Sequence, residues 1–226
     1  MPLLPPSRFF PPAEDADREG LLGFGGELTV EWLLDAYSHG IFPWPITDFE
    51  APLAWWSPDP RAVIEFDRFH VSRRLERTCR SGKFRVTHDR DFAGVISGCA
   101  MVPCRIGQTW LTPDMIEAYI RLHQAGYAHS VEVWFADELA GGVYGAAIGG
   151  LFAAESKFYR VRDASKVALV HLVEHLRARG YSLIDIQQLT PHTARFGATA
   201  IPRNEYLNRL AAAIESRASF SDPSDP

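Results

Sequence analysis

The chain has 226 residues, of which 46% are hydrophobic and 23% are charged, with a net charge of −5. This composition excludes a disordered or fibrous protein and allows one large domain or a small domain joined to a larger one. No apolar run approaches the roughly 20 residues of a membrane span, and the N-terminus lacks a signal-peptide pattern, so we expect a cytosolic protein.

The first 62 residues are predicted to form a small N-terminal domain. Five prolines within residues 1–12 rule out a helix there, so this arm is expected to lie extended against the protein body. Its apolar contacts would come from Leu3, Leu4, Phe9 and Phe10. A helix follows, with Thr29 as its N-cap and Gly40 at its end.

Two aromatic loops that contain prolines complete this domain. They hold three of the six tryptophans, Trp44, Trp55 and Trp56. Indoles in such loops either pack an irregular region or form a platform on which nucleic-acid bases stack. Core packing is the favoured interpretation for Trp55 and Trp56.

A basic segment follows the aromatic loops. Residues 68–90 contain eight bases and two acids, a net charge of +6, which leaves −11 for the rest of a chain whose total is −5. Arg73, Arg77 and Arg80 recur at helical spacing, so they would form one stripe. Such a stripe is either a solvated helix face or a surface that attracts a polyanion.

Residues 63–215 are predicted to form an α/β (α+β) domain. In chain order, the predicted elements are a strand from residue 62, the basic helix, a strand at 84–87, helices at 92–100 and 113–126, strands at 130–135, 139–146 and 151–155, a helix at 165–179 and a strand at 182–187. The three consecutive strands are expected to form an antiparallel meander. The polar segment 216–226 is expected to be a disordered tail.

The order of the last elements matches the second half of an acyltransferase of the GNAT class, in which helices flank a mixed, mostly antiparallel sheet. Members that use acyl-coenzyme A bind its pyrophosphate on a glycine-rich turn before the long helix. The corresponding turn here, residues 158–164, contains no glycine. The sequence therefore predicts a GNAT-like fold with an acyl donor other than coenzyme A.

Polar residues suited to proton transfer stand on two of the predicted strands. Asp185 and Gln187 are two residues apart, so both would project to one face. There the carboxylate would orient the amide, whose oxygen would accept a hydrogen bond from an attacking amine. Alternatively, both residues satisfy backbone groups where the sheet opens. Glu155 ends an apolar strand and needs a partner, either a cationic substrate group or a basic residue nearby in the chain.

The cysteines and histidines form no familiar ligand pattern. Cys79, Cys99 and Cys104 include no Cys-x-x-Cys pair, and the eight histidines include no His-Glu-x-x-His. We interpret the cysteines as structural thiols and expect no metal site.

Many short motifs, in one order from about residue 20 to residue 207, carry a resemblance to a known family. They are Gly20-Leu21-Leu22, Gly25-Gly26, Gly40-Ile41-Phe42-Pro43-Trp44, Trp55-Trp56-Ser57-Pro58-Asp59-Pro60-Arg61, Thr109-Trp110, Glu117-Ala118-Tyr119, His129-Ser130-Val131-Glu132-Val133-Trp134, Gly141-Gly142-Val143-Tyr144-Gly145, Glu155-Ser156, Ala164-Ser165-Lys166, Asp185-Ile186-Gln187, His192 and Ile201-Pro202-Arg203. On these residues the chain resembles the leucyl/phenylalanyl-tRNA–protein transferases, bacterial enzymes that move an amino acid from aminoacyl-tRNA to the N-terminus of a protein.

The resemblance implies a substrate set and a role for individual residues. The donor would be tRNA charged with Leu, Phe or, less readily, Met, and the acceptor a protein that begins with Lys or Arg and so acquires a degradation signal. Trp44 and Trp110 would hold the terminal adenosine by stacking. The side-chain pocket would be lined by Val143, Phe158, Leu172 and Ile184. The phosphates of the acceptor stem would contact Arg73, Arg74, Arg77, Arg80 and Lys83.

For the chemistry, the resemblance implies that Asp185, Gln187 and Glu155 assist the attacking amine. The donor ester is already activated, so the reaction is expected to need no cofactor and no metal. We expect the protein to act as a monomer, with no membrane partner.

The chain departs from the family pattern after Glu155-Ser156. The family usually continues with Met-Phe-Ser, whereas this chain has Lys157, Phe158 and Tyr159. It also has Ile186 where the family often has Cys. Three other functions stay open from the residues: a GNAT enzyme with another donor, a non-catalytic tRNA-binding protein, and an adaptor for basic N-termini.

Overall fold

The computed structural model describes residues 4–46, 52–101 and 111–221. Trp110, Leu3 and Cys104 lie outside these ranges, so their predicted roles are not addressed by the structure.

The N-terminal part contains a small antiparallel sheet and one helix. Its strands are β1 (Leu21–Phe24), β2 (Phe42–Pro43) and β3 (Ala54–Trp56), in the order β1-β3-β2, and the helix is α1 (Val30–Ser38). Thr29 caps α1 as predicted, because its side chain accepts a hydrogen bond from the backbone N–H of Trp32. The arm lies against this part, where the rings of Phe9 and Trp32 stack at 4.5 Å.

In the part of the chain that the structure describes, the larger sheet has seven strands. They are β4 (Arg61–Ile64), β5 (Arg85–His88), β6 (Ala128–Phe135), β7 (Glu138–Ile148), β8 (Leu151–Tyr159), β9 (Leu183–Gln187) and β10 (Ala198–Ile201). Their order is β10-β4-β9-β8-β7-β6-β5, and every neighbouring pair is antiparallel except β8 and β9. The predicted meander and the mixed, mostly antiparallel sheet are therefore confirmed.

Helices cover both faces of this sheet. They are α2 (Arg73–Arg80), α3 (Phe92–Ala100), α4 (Pro113–Gln124), α5 (Ala164–Ala178), α6 (Pro191–Ala194) and α7 (Arg203–Ile214). One hydrophobic core joins α1, α3, α4 and α7 to the first face, and a second joins α2 and α5 to the other. The first core includes α1 and β3 as well as α7, so it continues across the predicted domain boundary at residue 62.

The sheet opens between β8 and β9, the only parallel pair among the strands of the described residues. These strands pair from Leu151–Ala153 to Leu183–Asp185 and not beyond. Each strand then carries one extra residue relative to its other neighbour, Glu155 on β8 and Ile186 on β9. Bulges bend a strand and re-aim its side chains, so the two strands separate and leave a gap between them.

Gly145 allows the bulge on β8 to sit close to β7. A Cβ atom on Gly145 would lie 2.2 Å from the backbone oxygen of Ala153. No side chain fits that distance, because real Cβ contacts are more than 3 Å long. The glycine therefore determines how closely the strand that carries Glu155 can approach.

The disorder expected over residues 216–226 is corrected for residues 216–221. Phe220 is only 2% exposed, and its ring stacks on that of His129 at 4.4 Å. Its backbone oxygen also bonds to Nε2 of His175 at 2.8 Å. One aromatic residue in an otherwise polar segment is enough to anchor it, because burying a phenyl ring is worth a few kcal/mol.

Candidate active site

A cavity of about 170 Å³ lies where β8 and β9 separate. Its walls come from both cores of the protein and are mainly apolar, with a few polar side chains. The lining residues are Phe42, Trp44, Ile64, Val143, Ala154, Glu155, Ser156, Lys157, Leu169, Ile186, Gln187, Gln188, Thr190 and Thr193. A small apolar cavity with a few convergent polar groups is typical of a ligand site.

Glu155 is the carboxylate of this cavity, and the bulge on β8 projects it there. Its Oε1 accepts a hydrogen bond from Nε2 of Gln187 at 2.9 Å, and its Oε2 accepts one from the hydroxyl of Tyr119 at 3.1 Å. Burial raises the pKa of the Glu155 carboxyl to about 7, although hydrogen bonds from the tyrosines oppose the shift. A carboxyl with this pKa can take up and release a proton near neutral pH.

Two buried tyrosines form a chain of hydrogen bonds that ends at Glu155. The hydroxyls of Tyr37, on α1, and Tyr119, on α4, lie 2.5 Å apart. Burial, followed by the charge of Glu155, raises the pKa of both phenols well above its usual value. Both therefore stay protonated and act as hydrogen-bond donors in the network.

Asp185 stands beside the cavity rather than on its wall. It is 1% exposed, and Arg61 binds it at two points, with Nε–Oδ1 at 2.9 Å and Nη2–Oδ2 at 2.6 Å. The hydroxyl of Tyr206 donates to Oδ2 at 2.8 Å, and the backbone N–H of Gln187 donates to Oδ1 at 2.9 Å. These four hydrogen bonds use the acceptor sites of the carboxylate.

The structure differs here from the sequence-based expectation. Gln187 lines the cavity but Asp185 does not, because Ile186 is the extra residue of a bulge and interrupts the alternation of the strand. Asp185 holds the backbone of Gln187 rather than its amide. Gln187 has a left-handed backbone, with φ +56°, which non-glycine residues adopt mainly where tertiary contacts impose it.

Of the four residues expected to line the side-chain pocket, only Val143 does so. Leu172 and Ile184 are fully buried in the core on the α5 side. Phe158 lies in the other core, against Gly98 of α3. The apolar wall instead includes Leu169 and Ile186. Leu169 is one turn of α5 before the predicted Leu172, and Ile186 is two residues after the predicted Ile184.

Trp44 has the position expected of a stacking residue. It lines the cavity and is 40% exposed, whereas Trp55 is buried in the core, as predicted. The backbone of Trp44 is held at two points. Its N–H donates to the backbone oxygen of Ala54 at 3.0 Å, and its carbonyl accepts from Nε1 of Trp56 at 2.8 Å. The indole therefore lines the cavity from a residue whose backbone N–H and carbonyl are both hydrogen-bonded.

The basic residues of α2, and Lys83 just after this helix, lie on the surface, on the same face of the large sheet as α5. Arg73, Arg74, Arg77, Arg80 and Lys83 are all exposed. Leu75 anchors the helix in the core, and Arg74 binds Asp163, the residue before α5, at 2.8 Å. The stripe is therefore a solvent-facing surface that contacts the residue before α5.

A second cluster of ionisable side chains lies outside the cavity. Among the described residues, Asp89, His123 and His129 offer donor atoms within 4.8 Å of one another. These donors already bond within the protein: His129 Nδ1 to Asp89 at 2.7 Å, and His123 Nδ1 to the backbone oxygen of Ala128 at 2.7 Å. The cluster is accordingly explained by structural hydrogen bonds.

Four residues of the site were not assigned a role from the sequence. They are Tyr37, Arg61, Tyr119 and Tyr206, which lie far apart in the chain and meet only around Glu155 and Asp185. Arg61 offered one signal, because a base directly before the apolar run Ala62–Ile64 needs a buried partner. The tyrosines carried no comparable signal.

Comparison with known proteins gives consistent results. The family model described as leucyl/phenylalanyl-tRNA protein transferase matches residues 63–211, and the model of its N-terminal domain matches residues 26–59. A relative from Solidesulfovibrio magneticus with the name leucyl/phenylalanyl-tRNA–protein transferase is 56% identical over 207 residues, which is 91% of this chain and 83% of that protein. One of the same name from Stutzerimonas stutzeri is 52% identical over 208 residues, 91% of each chain.

Among solved structures, the chain is similar to a GCN5-related N-acetyltransferase from Kribbella flavida, with a TM-score of 0.40 and 11% identity over 74% of this chain and 59% of that one. No helix in the described ranges is both long and apolar enough to cross a membrane. The matches of the family models and the identity to these relatives are decisive: the chain belongs to the leucyl/phenylalanyl-tRNA–protein transferase family, a family of aminoacyltransferases.

Proposed function

We propose that this protein transfers Leu or Phe, and Met less readily, from aminoacyl-tRNA to the α-amine of proteins that begin with Lys or Arg. The product would carry a degradation signal. The observation that carries the proposal is Glu155, a carboxylate with a pKa of about 7 that is hydrogen-bonded to Gln187 on the wall of an apolar cavity.

The apolar wall supports an apolar donor side chain. Val143, Leu169 and Ile186 would surround it, and Trp44 would stack on the adenine to which the amino acid is esterified. One methylene more or less in such a pocket changes binding by only about 1–3 kcal/mol. Met is therefore a weaker donor rather than an excluded one.

The chemical step exchanges an ester for an amide. The α-amine of the acceptor attacks the ester carbonyl carbon, and a C–N bond forms. The bond from that carbon to the ribose oxygen breaks, and this oxygen leaves with a proton as a hydroxyl. The amine loses one proton, and Glu155 is the group in the cavity suited to accept it. The atoms balance without a cofactor.

Gln187 and Asp185 would position the amine. The amide nitrogen of Gln187 donates to Glu155, so its oxygen is the atom able to accept a hydrogen bond from the amine. Asp185, held by Arg61, would fix the backbone of Gln187 and thus the direction of its side chain. Asp185 is on this account a positioning residue.

The basic stripe supports tRNA as the carrier of the amino acid. Arg73, Arg74, Arg77, Arg80 and Lys83 are exposed and would contact acceptor-stem phosphates without regard to sequence. The rest of the chain has a net charge of −11, which would attract a cationic acceptor N-terminus.

The proposal also extends to the setting of the reaction. We propose two domains, residues 1–62 and 63–215, which is supported by the limits of the two matched segments, 26–59 and 63–211. The protein would act as a monomer. It would act in the cytosol, the compartment in which aminoacyl-tRNA is made.

The test is transfer of radiolabelled leucine from leucyl-tRNA to a peptide that begins with Arg. A peptide that begins with Glu and a mixture of free leucine and uncharged tRNA are the controls. We expect label only on the Arg peptide and only from charged tRNA. Salt-sensitive tRNA binding without transfer would instead identify a tRNA-binding protein. If neither binding nor transfer occurs, an acyltransferase with a different acyl donor becomes the favoured function.

A further inference from the structure

A row of basic side chains begins at Arg74 of the α2 stripe and continues toward the cavity, and apart from Arg74 its residues have no role assigned above. Its first part surrounds Asp163, the residue before α5. Arg74 and Lys166 each bind this carboxylate at 2.8 Å, and Nε of Arg162 lies 3.9 Å from it. Three cations around one carboxylate leave a net charge of +2 at this point, and two of them, Arg74 and Arg162, are exposed.

Its second part surrounds His192 on α6. After burial, the charges of Lys157, Lys166 and Arg195 are the causes that lower the pKa of this imidazole. Geometry links the two parts: Lys166 lies one turn of α5 before Leu169, which lines the cavity. Thr190 and Thr193, on either side of His192 in the chain, line the same cavity. Lys157 also lines the cavity, two residues after Glu155 on β8.

His192 supplies an observation of a different kind. Its Nε2 is buried and has no hydrogen-bond partner among the described residues. A buried polar atom without a partner costs free energy, so it is commonly satisfied by a water or by a ligand. His192 belongs to the short helix α6, and Thr190 and Thr193, on either side of it in the chain, line the cavity.

We infer that Arg162, Lys166, Arg195, His192 and Lys157 form a binding track for the phosphodiester backbone of a single RNA strand that enters the cavity 3′ end first. This inference rests on the proposed function and makes it more specific. The strand is the unpaired 3′ end of the charged tRNA. The α2 stripe binds the duplex, and the track guides the last nucleotides to Glu155.

The charge arrangement explains why the occupant is RNA rather than a peptide. The acceptor peptides of the proposed reaction begin with a cation, which this row of cations repels. Phosphates are attracted by the same row, and their binding releases counterions. Neutral His192 adds one hydrogen bond that a phosphate oxygen or a ribose hydroxyl can complete.

The experiment compares donors that share the ester but differ in their phosphates. They are leucyl-tRNA, a leucylated CCA trinucleotide and leucyl-adenosine, which has no phosphate. The variants are Lys166→Ala, Arg195→Ala and the double variant, since neither side chain takes part in the described hydrogen bonds of Glu155 and Gln187. Arg217→Ala is the matched control, because Arg217 is exposed and follows α7.

For the double variant we expect kcat/KM to fall at least tenfold with leucyl-tRNA and with the trinucleotide, and to stay within twofold with leucyl-adenosine. The slope of log kcat/KM against log salt should fall by about 1.4, from about 0.7 for each lost single-strand contact. Arg217→Ala should leave all three donors unchanged, and thermal melting of each variant checks that it is folded.

Three results would overturn the track. They are an equal loss with all donors, no loss with any donor, and a loss with tRNA but not with the trinucleotide, which would assign the cations to the duplex. Failure of the proposed function gives a different result: the unmodified protein would then transfer leucine from none of the three donors. The inferred track would be refuted together with that function.

Discussion

Arg61 and Asp185 form a two-point ion pair inside the protein, with both side chains 1% exposed. The pair joins β4 to β9, and through Asp185 it also fixes the backbone of Gln187. Breaking a buried pair leaves one charge without compensation, which costs about 3–5 kcal/mol.

The first prediction concerns this pair. Arg61→Ala should lower the free energy of unfolding in urea by about 3–5 kcal/mol, because Asp185 would stay buried without its partner. Arg209→Ala is the matched control. Its ion pairs with Glu65 and Glu205 are partly exposed, so it should cost less than about 1 kcal/mol. Equal losses for the two variants would contradict the structural role given to Arg61.

The second prediction concerns the proton acceptor. Glu155→Gln keeps the size of the side chain but removes its charge, so kcat at saturating tRNA should fall by about 10²–10⁴. In the unmodified protein, log kcat should rise with pH through about 7, the pKa of Glu155, and level off only above the pKa of the acceptor amine. The variant should lack this rise and keep only that of the acceptor amine, whose pKa is roughly 7.7–8.0. An unchanged profile in the variant would remove Glu155 from the chemistry.

The third prediction concerns stability at the same residue. The pKa of Glu155 is about 7 in the folded protein and 4.5 as its ordinary value. The folded state thus binds more protons between these values, and the stability contributed by the protonated carboxyl is lost as pH rises through 7. Glu155→Gln should therefore gain up to about 3 kcal/mol of stability relative to the unmodified protein between pH 5 and pH 8. Urea unfolding at both pH values measures it, and a constant difference would contradict the raised pKa.

The fourth prediction concerns the α2 stripe. Arg77 and Arg80 are exposed, so Arg77→Ala with Arg80→Ala should weaken tRNA binding with little effect on stability. The slope of log binding constant against log salt should fall by about 1.8, at about 0.9 for each duplex phosphate contact. Arg217→Ala serves again as the control for loss of one exposed charge. A slope that does not change would identify the stripe as a solvated helix face.

The fifth prediction concerns the C-terminal segment. Phe220 is 2% exposed between the rings of His129, Phe152 and His175. Phe220→Ala should cost about 3–5 kcal/mol in urea unfolding, because the ring leaves a cavity. Phe24→Ala is the control, since Phe24 is 54% exposed and should change stability by less than about 0.5 kcal/mol. A small effect at Phe220 would mean that residues 216–221 are not held against the body.

The sequence alone determined the elements and their order. Periodicity and caps predicted the helix that Thr29 begins, the meander and the long helix α5 close to their observed limits, because these signals act between residues near in the chain. The motifs were equally local, and they were enough to identify the family. The choice of Glu155 and Gln187 as cavity residues also came from the sequence.

Only the tertiary structure decided the direction in which these side chains point. Two bulges shift the alternation of β8 and β9, so that Glu155 and Gln187 enter the cavity while Asp185 turns to Arg61. A bulge depends on the neighbouring strands, and the partners Tyr37, Tyr119 and Tyr206 come from three separate helices. Such contacts form only when the sheet and both cores are assembled, and for that reason local sequence patterns did not contain them.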